Sequence, residues 1–288
     1  MKKSAVLFGV VGLVAAHAYA ASTINPVNRH AHGANIGWMD ARADVTNGVV
    51  IGQYVCSGYI YAANVGWIHL GNGSPVNGVE YQNNSGADYG INHDGTGNLR
   101  GYGYGSNIGW VNFESNGDPS VDLSSGALSG YIWGANVGWI SLSNAYAIVQ
   151  TDILAAGADS DNDGIVDAWE YGYTNTLAVL TDGGTDSDGD GVPDVHEYGA
   201  DTDPFDAGDY LAIIDFQVDV ATNWVTWPVK ATRVYTLLHG TELSTGAVWT
   251  TTGSPFRPPA DTDVQQAVTG VTDTKRYYWV EAAMPLGF

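Results

Sequence analysis

Six residues recur four times in the first half of the chain: Gly33-Ala34-Asn35-Ile36-Gly37-Trp38, Ala62-Ala63-Asn64-Val65-Gly66-Trp67, Gly105-Ser106-Asn107-Ile108-Gly109-Trp110 and Gly134-Ala135-Asn136-Val137-Gly138-Trp139. The tryptophans stand 29, 43 and 29 residues apart, so a 72-residue unit is used twice and each unit holds two half-repeats. Self-similarity at this period limits the fold to units that pack on copies of themselves. Aligned on the asparagine, Tyr59, Tyr102 and Tyr131 share one position, with His30 in the first copy. Tyr61, Tyr104 and Trp133 fall two residues later, with His32 in the first copy. Alternation at period two is a strand signal. A second short strand follows in each copy, as in Trp67-Ile68-His69-Leu70 and Trp110-Val111-Asn112-Phe113. The Gly/Ala-x-Asn step between them suits a tight turn or a bulge.

Each half-repeat is then a β-hairpin or arc with an aromatic face that it cannot bury alone. Residues 21–150 are expected to form a stacked β-repeat domain, either a solenoid or a barrel, with the Trp ladder in its core. The alignment also places the single cysteine, Cys56, with Val27, Leu99 and Leu128, which is a packing position. His30 and His32 would share one strand face, in two aromatic slots.

Residues 151–209 carry a repeat of another kind. Asp159-Ser160-Asp161-Asn162-Asp163-Gly164 is followed by Glu170, and Asp186-Ser187-Asp188-Gly189-Asp190-Gly191 by Glu197. Both fit D-x-D-x-D-G-x5-E, the calcium-loop spacing. Ca²⁺ takes six to eight oxygen ligands. Carboxylates at loop positions 1, 3 and 5 converge only if the chain turns sharply at position 6, where glycine is permissive. The candidate metal ligands are therefore Asp159, Asp161, Asp163, the Ile165 carbonyl, Asp167 through water, and Glu170 in the first loop. In the second they are Asp186, Asp188, Asp190, the Val192 carbonyl, Asp194 and Glu197. A solvated acidic linker would have no need of glycine at position 6 in both copies. Neither loop is preceded by a helix of ordinary length, and Pro193 removes the N–H through which paired EF-hands couple. Short helices are expected after each loop.

The chain carries a formal charge of −21, and residues 151–209 contain 16 Asp or Glu and no Lys or Arg. This charge argues against nucleic acid and anionic membrane surfaces as partners. Without metal, such a segment repels itself; bound Ca²⁺ would neutralise it and add folding stability. At the N-terminus, Lys2 and Lys3, the apolar run Ala5 to Ala16 and Ala18-Tyr19-Ala20 read as a secretory signal covering residues 1–20. The mature chain is expected to start at Ala21, to be secreted or displayed at the cell surface, and to contain no membrane span.

The acidic segment resembles thrombospondin type 3 repeats and their bacterial relatives, including the trailing Gly199-Ala200-Asp201-Thr202-Asp203-Pro204. That resemblance implies a calcium-organised connector with little apolar core, to which Asp201, Asp203, Asp206 and Asp209 would add further sites. Dockerin, a docking module with two calcium loops, is the rival resemblance. The Gly-Trp repeats are similar to those of many exported bacterial proteins. Residues 210–288 are expected to form a small antiparallel β-sandwich, with strands over Leu211–Val218, Trp224–Pro228, Val234–Leu238, Trp249–Thr252 and Tyr277–Ala282. This region resembles the fibronectin-like domain that often follows such calcium segments.

There is no nucleophile elbow, HExxH, phosphate loop or Ser-His-Asp grouping. Asp40, Asp44, Asp88, Glu114 and Asp122 show no distinguishing pattern. The expected protein is non-catalytic: a secreted, calcium-binding structural or adhesive protein in which Ca²⁺ stiffens the connector and the chain can self-associate. The alternative is a lectin-like module that binds carbohydrate through the Trp, Tyr and Asn of the repeat face.

Overall fold

The structure is a computed structural model, and it describes residues 21–287 apart from 115, 182, 183, 245 and 274. The expected signal segment, residues 1–20, lies outside the described residues. The chain is mainly β and divides into two compact units, one containing residues 21–177 and the other residues 178–285. The boundary falls between the two acidic loops.

The first unit is a closed eight-stranded barrel. Four hairpins build it: β1 (Ile24–Gly33) with β2 (Gly37–Asp40), β3 (Ser57–Ala62) with β4 (Gly66–Asn72), β6 (Leu99–Gly105) with β7 (Gly109–Asn112), and β10 (Tyr131–Gly134) with β11 (Gly138–Ser141). Antiparallel neighbours run in the order β11-β10-β7-β6-β4-β3-β2-β1. The ring closes where β11 returns to β1, pairing His32 with Ser141 and Gly33 with Ile140. Of the two expected arrangements, solenoid and barrel, the chain adopts the barrel, which leaves no open edge in the ring. β5 (Ile91–His93) extends β6, β12 (Val149–Thr151) extends the first half of β1, and β8 (Ser120–Val121) pairs with β9 (Leu128–Ser129).

The repeated motif is a hairpin turn. Ile36, Val65, Ile108 and Val137 each donate a backbone N–H to the carbonyl three residues back, at 3.0–3.2 Å. Gly37, Gly66, Gly109 and Gly138 follow at φ between 76° and 82°. A turn of this kind followed by a left-handed residue is a favoured hairpin connection, and the position after the turn selects glycine. The motif asparagine joins one hairpin to another. Asn64 Nδ2 donates to the Ile36 carbonyl at 3.1 Å, Asn107 to Val65 at 3.0 Å and Asn136 to Ile108 at 3.0 Å. Asn35 donates to Val137, which completes a cycle of four.

The core of this unit is aliphatic. Ala31, Met39, Ile60, Ile68, Val111, Ile132 and Ile140 point inward, and the turn residues Ile36, Ile108 and Val137 are also buried. The expectation of a buried Trp ladder is overturned. Trp38, Trp67, Trp110 and Trp139 lie outside the barrel, 44–52% exposed, with Tyr59, Tyr61, Tyr104, Tyr131 and Trp133 beside them. The interior of an eight-stranded barrel is just wide enough for side chains to fill, and the aliphatic set between the aromatics fills it. His30 and His32 take the aromatic slots of the first hairpin, with ring centroids 6.1 and 5.3 Å from Trp38. Cys56 is buried with Leu99 and Leu128, and burial pushes its thiol up to about 12; Val27, at the aligned position, is exposed.

The second unit holds two three-stranded antiparallel sheets. One runs β13 (Asp215–Val218), β14 (Thr222–Val229), β17 (Thr262–Thr269), and the other β16 (Thr250–Phe256), β15 (Val234–Gly240), β18 (Tyr277–Ala283). Val225, Trp227, Tyr235, Leu237, Val268 and Val280 share one core. β17 was not expected from the sequence; it pairs with β14 at eight successive positions. Pro255 lies within the edge strand β16, a place where a missing N–H is tolerated.

Candidate metal centres

The two acidic loops lead into α1 (Asp167–Tyr173) and α2 (Asp194–Ala200). In each loop three aspartates converge. One carboxylate oxygen from each of Asp159, Asp161 and Asp163 lies within 4.8 Å of the others, and the same holds for Asp186, Asp188 and Asp190. Backbone N–H donors fix the set. Asp163 and Gly164 donate to the two oxygens of Asp159 at 3.2 and 3.1 Å, and Ile165 donates to Asp163 Oδ1 at 2.9 Å. Gly189 and Gly191 donate to the oxygens of Asp186 at 2.8 and 2.9 Å, Asp190 to Asp188 Oδ1 at 3.0 Å, and Val192 to Asp190 Oδ1 at 2.7 Å.

The backbone makes two left-handed steps in each loop. Asn162 and Gly189 at position 4 have φ of 61° and 81°, and Gly164 and Gly191 at position 6 both have φ of 95°. A Cβ at either Gly164 or Gly191 would meet nothing within 4 Å. Glycine is therefore required there for conformation and not for room.

Glu170 and Glu197, at position 12, are fully buried. Neither oxygen of Glu170 receives a hydrogen bond; Glu197 accepts one, from Thr202 Oγ1 at 3.3 Å, and its Oε2 receives none. Burial, together with the neighbouring aspartates, pushes both carboxyls up to about 8. A carboxylate removed from water without a counter-charge is costly. No Lys or Arg lies within residues 151–209 to supply one. A cation held by three aspartates and a buried glutamate would satisfy every one of these groups. The donors are all oxygen, which suits hard ions such as Ca²⁺ over the softer transition metals.

Position 9 is engaged differently. Asp167 accepts from the Ser160 N–H at 2.7 Å and from its hydroxyl at 2.6 Å. Asp194 accepts from Ser187 in the same way, at 2.9 Å for both bonds. Each pair clamps the start of the loop to the first turn of its helix. Sequence spacing assigns Asp167 and Asp194 to the metal through water and misses this clamp, whose one signal is the Asp-Ser-Asp that opens both loops. The carboxylates after the second loop meet cations of the chain itself. Asp201 lies 3.5 Å from the buried Arg233, and Asp209 lies 2.7 Å from Lys230 Nζ. Arg233 also donates to the Gly199 and Tyr198 carbonyls at 2.9 and 2.7 Å, which caps the C-terminal end of α2.

A scan against protein-family models finds no match, and searches of curated proteins and of solved structures find none either. Among the described residues, no helix is long and apolar enough to cross a membrane.

Proposed function

We propose that the chain is an extracellular, calcium-binding structural or adhesive protein with no catalytic role of its own. Asp159, Asp161, Asp163, Glu170 and the Ile165 carbonyl hold one ion, and Asp186, Asp188, Asp190, Glu197 and the Val192 carbonyl hold a second. Asp167 and Asp194 act from behind, each as a clamp and through water. The observation that carries this is a fully buried glutamate coupled to a trio of converging aspartates in each loop, in a segment, residues 151–209, with no Lys or Arg. One loop lies on either side of the unit boundary, so Ca²⁺ orders the chain where the first unit ends and the second begins, as in the thrombospondin type 3 repeats that the segment resembles.

Calorimetric titration of the EDTA-treated chain tests this. Two ions bound, with a rise in melting temperature, is the expected result; no binding at millimolar Ca²⁺ would overturn it.

A second function is favoured by a separate observation. The tryptophans and tyrosines of the repeats stand on the outside of the barrel, where a ligand can reach them. Aromatic ring faces bordered by amide side chains are the chemistry of carbohydrate recognition. The adhesive role then includes binding glycan through the barrel.

A further inference from the structure

Two grooves on the outer surface of the barrel lie beside the equivalent tryptophans, Trp110 and Trp139, of successive hairpins. One, of about 290 Å³, lies on the β6–β7 hairpin, between Tyr89, Tyr102 and Trp110 and the polar stretch Asn83, Asn84, Ser85. The other, of about 220 Å³, lies on the β10–β11 hairpin, between Trp133 and Trp139 and the polar residues Asn112, Glu114 and Asn116. In both, a polar loop that precedes the hairpin borders that hairpin's tryptophan.

The loops are locked in place by the backbone. Tyr102 N–H donates to the Gly90 carbonyl at 3.1 Å, and Tyr131 N–H to the Gly117 carbonyl at 2.7 Å. The rings are also fixed. Trp110 meets Tyr89 edge-on with centroids 5.0 Å apart, and Trp139 lies 5.0 Å from Trp133 at an interplanar angle of 59°. Among the described residues, nothing bonds to the side chains of Asn84, Glu114 or Asn116, so their donors and acceptors are available to a ligand.

We propose that these two grooves are subsites for neutral pyranose units of a polysaccharide; this rests on the glycan-binding function set out above. A pyranose presents an apolar C–H face and a rim of hydroxyls. That matches a fixed aromatic wall bordered by unbonded amides and a carboxylate, which accepts hydroxyl donors. Glu114 and a formal charge of −21 oppose polyanions. Recurrence of the site on the next hairpin suits a ligand that itself repeats, because the second contact gains from effective concentration.

The test is calorimetric titration of the full chain in Ca²⁺ with soluble glucomannan, xyloglucan and galactomannan, and with alginate as an anionic comparison. At least one neutral polymer is expected to bind. Trp110→Ala and Trp139→Ala are each expected to weaken binding by about tenfold or more, as for central aromatic anchors. Asn116→Arg and Ser85→Arg alter exposed loop positions without touching the barrel, and each is expected to reproduce the loss. Unchanged binding by the two arginine variants and by a folded Trp110→Ala/Trp139→Ala double variant would overturn the grooves and leave glycan binding by the barrel standing. Binding of alginate alone would overturn the neutral class. No binding to any polymer would overturn both the grooves and the glycan function.

Discussion

Asn35 donates through Nδ2 to the carbonyl of Val137, 3.0 Å away and 102 residues further along the chain. The other three motif asparagines each reach back to the hairpin before them, and Asn35 reaches forward to the last. The repeated Asn is thus a clip, and the cycle closes only because the sheet does.

Substitution of one clip should loosen the whole ring. Asn35→Ala is expected to cost about 1 kcal/mol, the usual net worth of one such bond, with the Val137 carbonyl losing its partner. Asn35→Asp should cost more at neutral pH, since a carboxylate would face a carbonyl. Denaturant unfolding of the barrel, followed by tryptophan fluorescence, measures both.

Two Gly→Ala changes eight residues apart should have opposite signs. A Cβ at Gly164 or at Gly172 meets nothing within 4 Å, but only Gly164 has a positive φ. Gly164→Ala should destabilise by about 1–3 kcal/mol through backbone strain. Gly172 lies in α1, where alanine is favoured by about 0.5–1 kcal/mol. Calcium-loaded melts of the two variants give the comparison.

The buried glutamates give the metal-free chain a pH dependence of definite sign. Their carboxyls are pushed from the ordinary 4.5 up to about 8, so the folded chain keeps protons that the unfolded chain has lost. Stability of the EDTA-treated protein should therefore fall as pH rises from about 4.5 to about 8. Calcium affinity should move the other way, weakening on acidification, because the ligands must be ionised. Melting temperatures with and without Ca²⁺ should converge on acidification and separate as pH rises, because bound calcium only adds to stability.

Removing one buried carboxylate should separate the sites. Glu170→Gln is expected to raise the stability of the metal-free chain and to reduce the calorimetric stoichiometry from two ions to one, and Glu197→Gln likewise. At about 100 times Kd each site contributes about 2.7 kcal/mol, so each variant should lose that increment on calcium addition.

Acrylamide should quench the barrel tryptophans, Trp38, Trp67, Trp110 and Trp139, while Trp169 and Trp227, which are buried, stay shielded. A uniformly protected spectrum would contradict the outward placement of the aromatic face.

The parts of the molecule that could be read from the sequence are the local ones. All the groups of a metal loop lie within twelve residues, so spacing alone brings Asp159, Asp161 and Asp163 together. The hairpin turns were legible for the same reason, since Asn35-Ile36-Gly37 fixes its own geometry. The inward face was not. Period-two alternation shows that Tyr59 and Tyr61 oppose Ile60, but both faces are apolar, and only barrel closure decides which one is filled. β17 was missed because Asp263, Gln265 and Gln266 leave a weak apolar pattern in it. Its strand character comes from pairing along β14, a long-range property. Arg233 was equally hidden, since its partners at Tyr198, Gly199 and Asp201 lie more than thirty residues back.

The barrel is sealed between its first and last hairpins, with Gly33 opposite Ile140. No shorter N-terminal portion of the chain contains that seal. While the polypeptide is being synthesised, the edge of β1 that faces away from β2 must wait unpaired until β11 has been made. Loop closure across so long a span is slow, and throughout that interval the nascent chain presents a template that the last hairpin of a second molecule could occupy in place of its own.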